Sequence, residues 1–232
     1  MSGVEAPGEP EAEVSVVVPV YGNEDSLEEL HARLDSVLSP EGSYEIVFVD
    51  DASPDRSRFV LRRLASEDPR IRLIELDRNR GQHEAALAGL RHATGRWIVV
   101  MDADLQDRPE VIPALLRRGR DGFEAVFAGR EGSYQGRWRM LTSLAYRKLL
   151  RGVLPLPQGA GMFVALRSEA ARQLLAMAGP PSHLVAMTGA AHINATSIPV
   201  ERHRRAVGSS TYTTWSRARS AFAALRWAVR AR

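Results

Sequence analysis

Two aspartates separated by one residue, Asp102 and Asp104, directly follow the apolar run Trp97 to Met101, with Gln106 and Asp107 close behind. Carboxylates at this spacing just past a strand can point the same way, and the Gln106 amide oxygen extends them to an incomplete shell of hard oxygen donors. Such a shell suits Mg²⁺ or Mn²⁺, which shares its coordination sphere with substrate phosphates and water. A cation held there neutralises a diphosphate and stabilises it as a leaving group. A solvated acidic loop, with Asp107 as N-cap of a helix starting at Pro109, accounts for the same residues. For an isolated D-x-D that plainer account is the commoner one, because aspartate is frequent in loops.

A second acidic pair, Asp50 and Asp51, follows Ile46-Val47-Phe48-Val49. One of these carboxylates could accept the imide N–H of a pyrimidine base or the amide of a guanine, while the other caps a helix opened by Ser53-Pro54. Pro19-Val20-Tyr21-Gly22-Asn23 ends a third apolar run. Tyr21 there could flank a base, although a strand-end tyrosine is commonly a packing residue.

The elements that must position these clusters read as alternating strands and helices. Val14 to Val20 is a continuous β-branched run, as expected of a strand buried on both faces of a parallel sheet. Leu27, Leu30, Leu34, Val37 and Leu38 follow at helical spacing, and Tyr44 to Val49 is the second strand. A helix over Phe59 to Leu64, a strand at Ile71 to Leu76, a helix over Glu84 to Ala93 and a strand at Trp97 to Met101 continue the rhythm. Beyond Asp102 the pattern predicts a helix over Pro109 to Arg118, a strand at Glu124 to Ala128 and an amphipathic helix from Arg139 to Leu150. A strand at Met162 to Leu166, a helix over Ser168 to Met177 and a strand at Ala195 to Val200 complete it. The class is α/β with a mostly parallel central sheet flanked by helices. In such sheets ligands bind beyond the carboxyl ends of the strands, where the three polar clusters lie.

At 232 residues the chain is long enough for one large domain with a substantial core. It has no cysteine, which removes disulfides, thiolate metal sites and cysteine nucleophiles. Residues 1–13 carry Glu5, Glu9, Glu11 and Glu13 among Pro and Gly and are expected to form a disordered acidic tail, without the pattern of a signal peptide. No apolar run approaches the roughly 20 residues that span a bilayer, so any membrane contact is expected to be peripheral, with the cytoplasm, which the absence of cysteine mildly favours, as the default setting. The formal charge is +3, but Glu201 to Arg232 holds eight arginines against one carboxylate, a basic end suited to phosphates or anionic lipid. Lys148 is the sole lysine among 31 basic residues, which points to compositional bias and discounts any single arginine as a phosphate contact. The basic tail lacks an aromatic and basic platform, so nucleic acid is not an expected partner.

The segments VVVPVYGNEDSLEEL, EIVFVDDASPD, NRGQHEAALAGL and VVMDADLQDRPE occur in order. Together they resemble family-2 glycosyltransferases, and most closely the polyprenyl-phosphate sugar transferases related to dolichyl-phosphate mannose synthase. The resemblance covers about Val14 to Tyr212, and four co-linear motifs are far more specific than one. It implies a glycosyltransferase A fold over residues 14–212, a nucleotide-diphosphate sugar donor, Mg²⁺ or Mn²⁺, and inversion at the anomeric carbon. By position it gives Pro19, Tyr21, Asn23, Asp50 and Asp51 as contacts near the nucleoside, and Asn79 and Gly81 as a loop beside the donor. Asp102, Ala103, Asp104 and Gln106 fall in the metal and pyrophosphate cluster. Arg130, Arg139 and Ser143 are similar to the phosphate-binding residues after the fifth strand. Arg205 to Tyr212, with Ser210 and Tyr212 as donors, resembles a segment that closes over the diphosphate; a glycine between an arginine and hydroxyl donors can also do this on physical grounds.

Two stretches depart from the family pattern. Gly22 and Asn23 stand where Asn and Glu are usual, and Met162 and Val164 replace the acidic residue and arginine common around the equivalent of Phe163 in lipid-phosphate relatives. A phosphate acceptor is already anionic and needs no protein base, whereas an alcohol normally wants one; Asp107, His183 and His192 are the candidates. Residues 213–232 form an expected basic amphipathic helix, with Trp215, Ala218, Phe222, Leu225 and Val229 on one stripe. Its arginines could snorkel to phosphates at the inner face of the cell membrane, or the stripe could pack on the domain. The acceptor implied is polyprenyl phosphate. A soluble glycan or metabolite acceptor, or a sugar-nucleotide-binding module without turnover, remain the alternatives.

Overall fold

The computed structural model describes residues 11–131, 154–179 and 182–201. Strands β1 (Ala12–Val20), β2 (Tyr44–Asp50), β3 (Ile71–Glu75), β4 (Gly95–Val100), β5 (Ala125–Glu131), β6 (Val164–Arg167) and β7 (Ala195–Glu201) form one sheet in the order β3-β2-β1-β4-β6-β5-β7. β1 lies between β2 and β4, parallel to both, and is covered by helices on each face. Every residue from Val14 to Val20 is therefore buried, the environment its β-branched run demands. β6 runs antiparallel to β4 and β5, and β7 parallel to β5.

Helices α1 (Leu27–Leu38), α2 (Ser57–Glu67), α3 (Gln82–Leu90), α4 (Ile112–Arg120), α5 (Ser168–Met177) and α6 (Leu184–Ala190) cover the sheet in two layers. Alternate strand residues supply the two cores. Val16, Val18, Phe48 and Val99 pack with α1, α2 and α4, and Val17, Val49, Val100 and Val164 with α3, α5 and α6. In α1 the buried residues Leu27, Leu30, Leu34 and Leu38 mark one helical stripe. Gly89 lets α3 approach the sheet closely, since a Cβ there would stand 2.3 Å from Val17 Cγ1.

Several boundaries differ from the sequence expectation. β1 starts at Ala12, which pairs with Gly95, so residues 12 and 13 of the expected tail are strand. Pro113 has no N–H to continue a helix from Pro109; the stretch divides into a 3₁₀ turn, Pro109–Val111, and α4. α6 has no counterpart in the expectation. Leu184 to Gly189 are all buried, so the helix shows no apolar stripe against a polar face. The helix expected over 139–150 and the one over 213–232 lie outside the described residues.

Candidate active site

β1, β2 and β4 are neighbours with a common direction, so their carboxyl ends share one rim. Pro19 and Val20 pair with Val49 and Asp50 there. Loops after β1 and β2 are laced together: Gly22 N–H donates to Ser53 Oγ (3.3 Å) and Asn23 N–H to Ser57 Oγ (3.0 Å). Glu24 N–H donates to Asp55 Oδ2 (3.1 Å), and Arg56 N–H to Glu24 Oε2 (2.7 Å). Gly22 has φ +71°, a conformation glycine adopts without steric cost, and the Asn23 carboxamide accepts from Tyr21 N–H (3.2 Å). The glycine that departs from the family pattern thus occupies a left-handed position that asparagine also tolerates. Tyr21 is exposed at the rim.

Asp50 and Asp51 are both buried and both bonded to the protein. Asp50 accepts from Ser53 N–H (3.1 Å) and pairs with Arg58 Nε (2.8 Å). Asp51 accepts from Arg80 N–H (2.7 Å) on Oδ1 and Gly81 N–H (2.8 Å) on Oδ2, which fastens the loop before α3. Burial raises the Asp51 pKa, and the two N–H donors oppose that rise. Neither carboxylate caps α2, whose N-cap is Arg56, so the capping expected from Ser53-Pro54 is not found. Each carboxylate oxygen carries two acceptor sites, so these bonds do not exhaust Asp51.

Past β4, Ala103 is buried while Asp102 and Asp104 on either side stay partly accessible, which sets both carboxylates on the open side of the rim. Asp102 Oδ1 accepts from the Gln82 carboxamide on α3. Asp104 Oδ1 accepts from Gln106 N–H (3.1 Å), and Leu105 between them is left-handed (φ +58°). Ser26 Oγ donates to the Ala103 carbonyl (2.7 Å), joining this loop to the start of α1. Among the described residues no group of three or more His, Cys, Asp or Glu could enclose an ion. The two carboxylates, with Gln106 next to Asp104 in the same loop, offer oxygen donors only and no closed cage, which fits Mg²⁺ or Mn²⁺ completed by phosphate and water.

Asp107 is buried and is not an N-cap: Arg108 holds that position before the 3₁₀ turn, without a side-chain cap bond. The histidine candidates for a base are also corrected. His192 precedes β7, whose first residue pairs with the first residue of β5, so it lies at the end of the sheet opposite the aspartates. His183 is the N-cap of α6, accepting from Ala186 N–H (3.3 Å) through Nδ1, and stacks on His83 at 4.0 Å. Burial depresses its pKa to about 4 and that of His83 well below the usual value. These are packing histidines. Met162, Phe163 and Val164 are buried core residues, so the region offers no base either.

Asn79 is exposed, and Gly81 (φ +92°) immediately precedes α3. Arg130 lies at the carboxyl end of β5, paired with Val200, on the rim that carries the aspartates. Arg139, Ser143, Arg205, Ser210 and Tyr212 fall outside the described residues. Sequence reasoning missed Gln82 and Arg58, which hold the aspartates. Gln82 follows a glycine at a helix start, but its partner is twenty positions away and only the fold brings them together.

The glycosyl transferase family 2 model matches residues 15–173, more than half of the chain. The chain belongs to that family. This family-2 chain is 38% identical over 153 residues to the uncharacterized glycosyltransferase YkcC of Bacillus subtilis (strain 168), covering 64% of the chain and 47% of YkcC. It is 33% identical over 208 residues to the undecaprenyl-phosphate 4-deoxy-4-formamido-L-arabinose transferase of Klebsiella pneumoniae, covering 88% of the chain and 64% of that protein. The chain thus spans less than two thirds of the length of these relatives. Among solved structures, the mannosyltransferase PcManGT from Pyrobaculum calidifontis, in complex with GDP-Man and Mn²⁺, matches with TM-score 0.66 and 25% identity over 97% of the chain and 66% of that protein. Glucosyl-3-phosphoglycerate synthase from Mycobacterium tuberculosis shares the fold (TM-score 0.65, 17% identity, 95% of the chain and 78% of the synthase). The glycosyltransferase A fold implied by the motifs is therefore the fold of this protein.

Proposed function

We propose that this glycosyltransferase moves a sugar, with inversion at the anomeric carbon, from a nucleotide-diphosphate donor to polyprenyl phosphate. The observation that carries the reading is the accessible pair Asp102 and Asp104, held at the rim between the polar ends of β1 and β2 and the loop at Gly81. The undecaprenyl-phosphate sugar transferase of Klebsiella pneumoniae among the relatives, and the GDP-Man and Mn²⁺ in the PcManGT complex, support it.

When bound, Mg²⁺ or Mn²⁺ supplies positive charge against the donor diphosphate. Asp102, Asp104 and Gln106 hold the ion. Tyr21, Pro19, Asn23, Asp50 and Asp51 border the nucleoside, and Asn79 and Gly81 flank the donor. Arg130, Arg139, Ser143, Arg205, Ser210 and Tyr212 steady the phosphates by charge-assisted hydrogen bonds and fix the angle of approach. The acceptor oxygen forms its bond to the anomeric carbon from the face opposite the diphosphate. The carbon–oxygen bond to the donor phosphate breaks, and its electron pair leaves with the nucleoside diphosphate. A phosphate acceptor is already anionic at neutral pH, so its oxygen attacks without needing a protein base; for an alcohol acceptor Asp107, buried beside the metal cluster, is the base candidate on this rim. The basic segment 213–232 holds the protein peripherally at the inner face of the membrane where such an acceptor resides.

A second reading, a soluble glycan or metabolite acceptor, draws on the core burial of Met162 and Val164 where lipid-phosphate relatives carry charge. The test is turnover of UDP-, GDP- and dTDP-sugars by purified protein with Mn²⁺, offering polyprenyl phosphate and soluble acceptors in parallel. Product on the lipid phosphate, lost with chelator and in Asp104→Ala, is the expected result. Product on a soluble acceptor selects the second reading. Turnover untouched by chelator or by Asp104→Ala sinks the metal role, and donor binding without any product identifies a binding module.

A further inference from the structure

We infer that Gln82 is a positioning residue for Asp102, orienting that carboxylate to receive the divalent ion; the assignment rests on the metal-diphosphate reading above. Gln82 is the first residue of α3, and its carboxamide donates to Asp102 Oδ1. Side chains on a helix lean toward its amino terminus, and the amino terminus of α3 lies at the rim, so a long side chain at this position is aimed at the carboxyl end of β4.

The turn that carries Gln82 is secured from two other directions. Behind it, the Arg80 and Gly81 N–H groups are held by the buried Asp51 carboxylate. Beside it, Glu84 Oε1 accepts from Ser182 N–H (3.0 Å) and His83 stacks on His183, docking the turn on the start of α6. Four contacts thus fix the base of a side chain whose tip meets the proposed metal ligand. An outer partner of this kind sets the orientation of a ligand and tunes the affinity of its ion.

The residue type fits that task. A lysine or arginine would bond Asp102 equally well, but would place a positive charge beside the cation and oppose its binding. A carboxamide orients the carboxylate with a neutral donor and leaves its negative charge for the ion.

The test is Mn²⁺ binding followed by the electron paramagnetic resonance of the free ion, with Mn²⁺ alone and with inorganic pyrophosphate added. Native protein is compared with Gln82→Leu, Gln82→Met, Gln82→Lys and Asp102→Ala, and each metal-free protein is melted in parallel. Gln82→Leu and Gln82→Met, two independent removals of the donor, are expected to weaken Mn²⁺ binding roughly tenfold or more at unchanged metal-free melting temperature. Gln82→Lys is expected to weaken it further. In turnover assays the Mn²⁺ concentration for half-maximal rate rises while kcat recovers at high Mn²⁺, a split that general loss of structure does not produce. Native Mn²⁺ affinity in either folded donor-removal variant overturns the inference. If Asp102→Ala loses Mn²⁺ while those variants keep it, the positioning role alone is wrong. If Asp102→Ala binds like native protein, the metal reading beneath it fails as well.

Discussion

Two aspartate pairs sit at neighbouring strand ends, and the fold treats them in opposite ways. Asp50 and Asp51 are 0% and 2% exposed and bonded to Ser53, Arg58, Arg80 and Gly81. Asp102 and Asp104 stand partly open on either side of a buried alanine. In sequence both are short acidic clusters after an apolar run. The difference teaches that a carboxylate cluster becomes a candidate cation site through what the fold leaves uncovered. The buried pair spends its charge holding loops in register, and those loops then frame the open pair.

The sharpest way to break this comparison is to exchange the expected penalties. Removing an open carboxylate, in Asp102→Ala or Asp104→Ala, should lower sugar-transfer turnover by at least about 100-fold, the scale of losing a group that stabilises developing charge. Metal-free melting should barely move, as for most partly exposed positions. A large fall in melting temperature with modest loss of turnover would reverse the assignment. Asp51→Ala should differ by destabilising the fold in addition to weakening donor binding, because it strands two backbone N–H groups at about 1–3 kcal/mol each. At ~2–4 °C per kcal/mol its melting temperature should drop roughly 5 °C or more in calorimetry, and a near-native value would contradict the structural role.

Acidification probes the support beneath the open pair. His183 has a folded pKa of about 4 against 6.5 for the ordinary group, so the unfolded chain takes up its proton first. The stabilising contribution is complete above pH 6.5 and is lost as pH falls toward 4, a change of at most about 3–4 kcal/mol. His83, stacked on it with its Nδ1 buried, acts in the same sense, and Glu84 is the acidic neighbour on that turn. Melting temperature in that window should therefore fall with pH. His183→Asn, which keeps a capping acceptor but does not titrate, should show a shallower slope; an identical slope would remove the histidine pair from the account. The smallest effect belongs to Arg58→Ala. Arg58 is 39% exposed, so water can partly replace it beside the buried Asp50 carboxylate, which keeps its bond from Ser53 N–H, and the loss is about 1–3 kcal/mol. Mn²⁺ affinity should be unchanged, and a clear change would show that the closed pair is not insulated from the open one.

How much was legible follows from the environment of each element. β1, β2 and β4 were readable because strands buried on both faces need an unbroken apolar run, and α1 because its leucines recur at helical spacing. α6, buried on nearly all sides, carries no such period and went unread. The aspartates were legible as a motif, whereas Gln82, Arg58 and the N–H groups of Arg80 and Gly81 were not, since their bonds join residues far apart in the chain. His192 shows the converse: its residue type suggested a base, and its place at the far end of the sheet excludes it.

What the sequence alone determined is the alternation of strand and helix and the polar clusters at three strand ends, because local periodicity and side-chain type are properties of adjacent residues. Only the tertiary structure decided which aspartates are closed, which are open, and which side chains hold them. Burial and hydrogen bonding depend on segments tens of residues apart arriving at one rim, and no local pattern records that arrival.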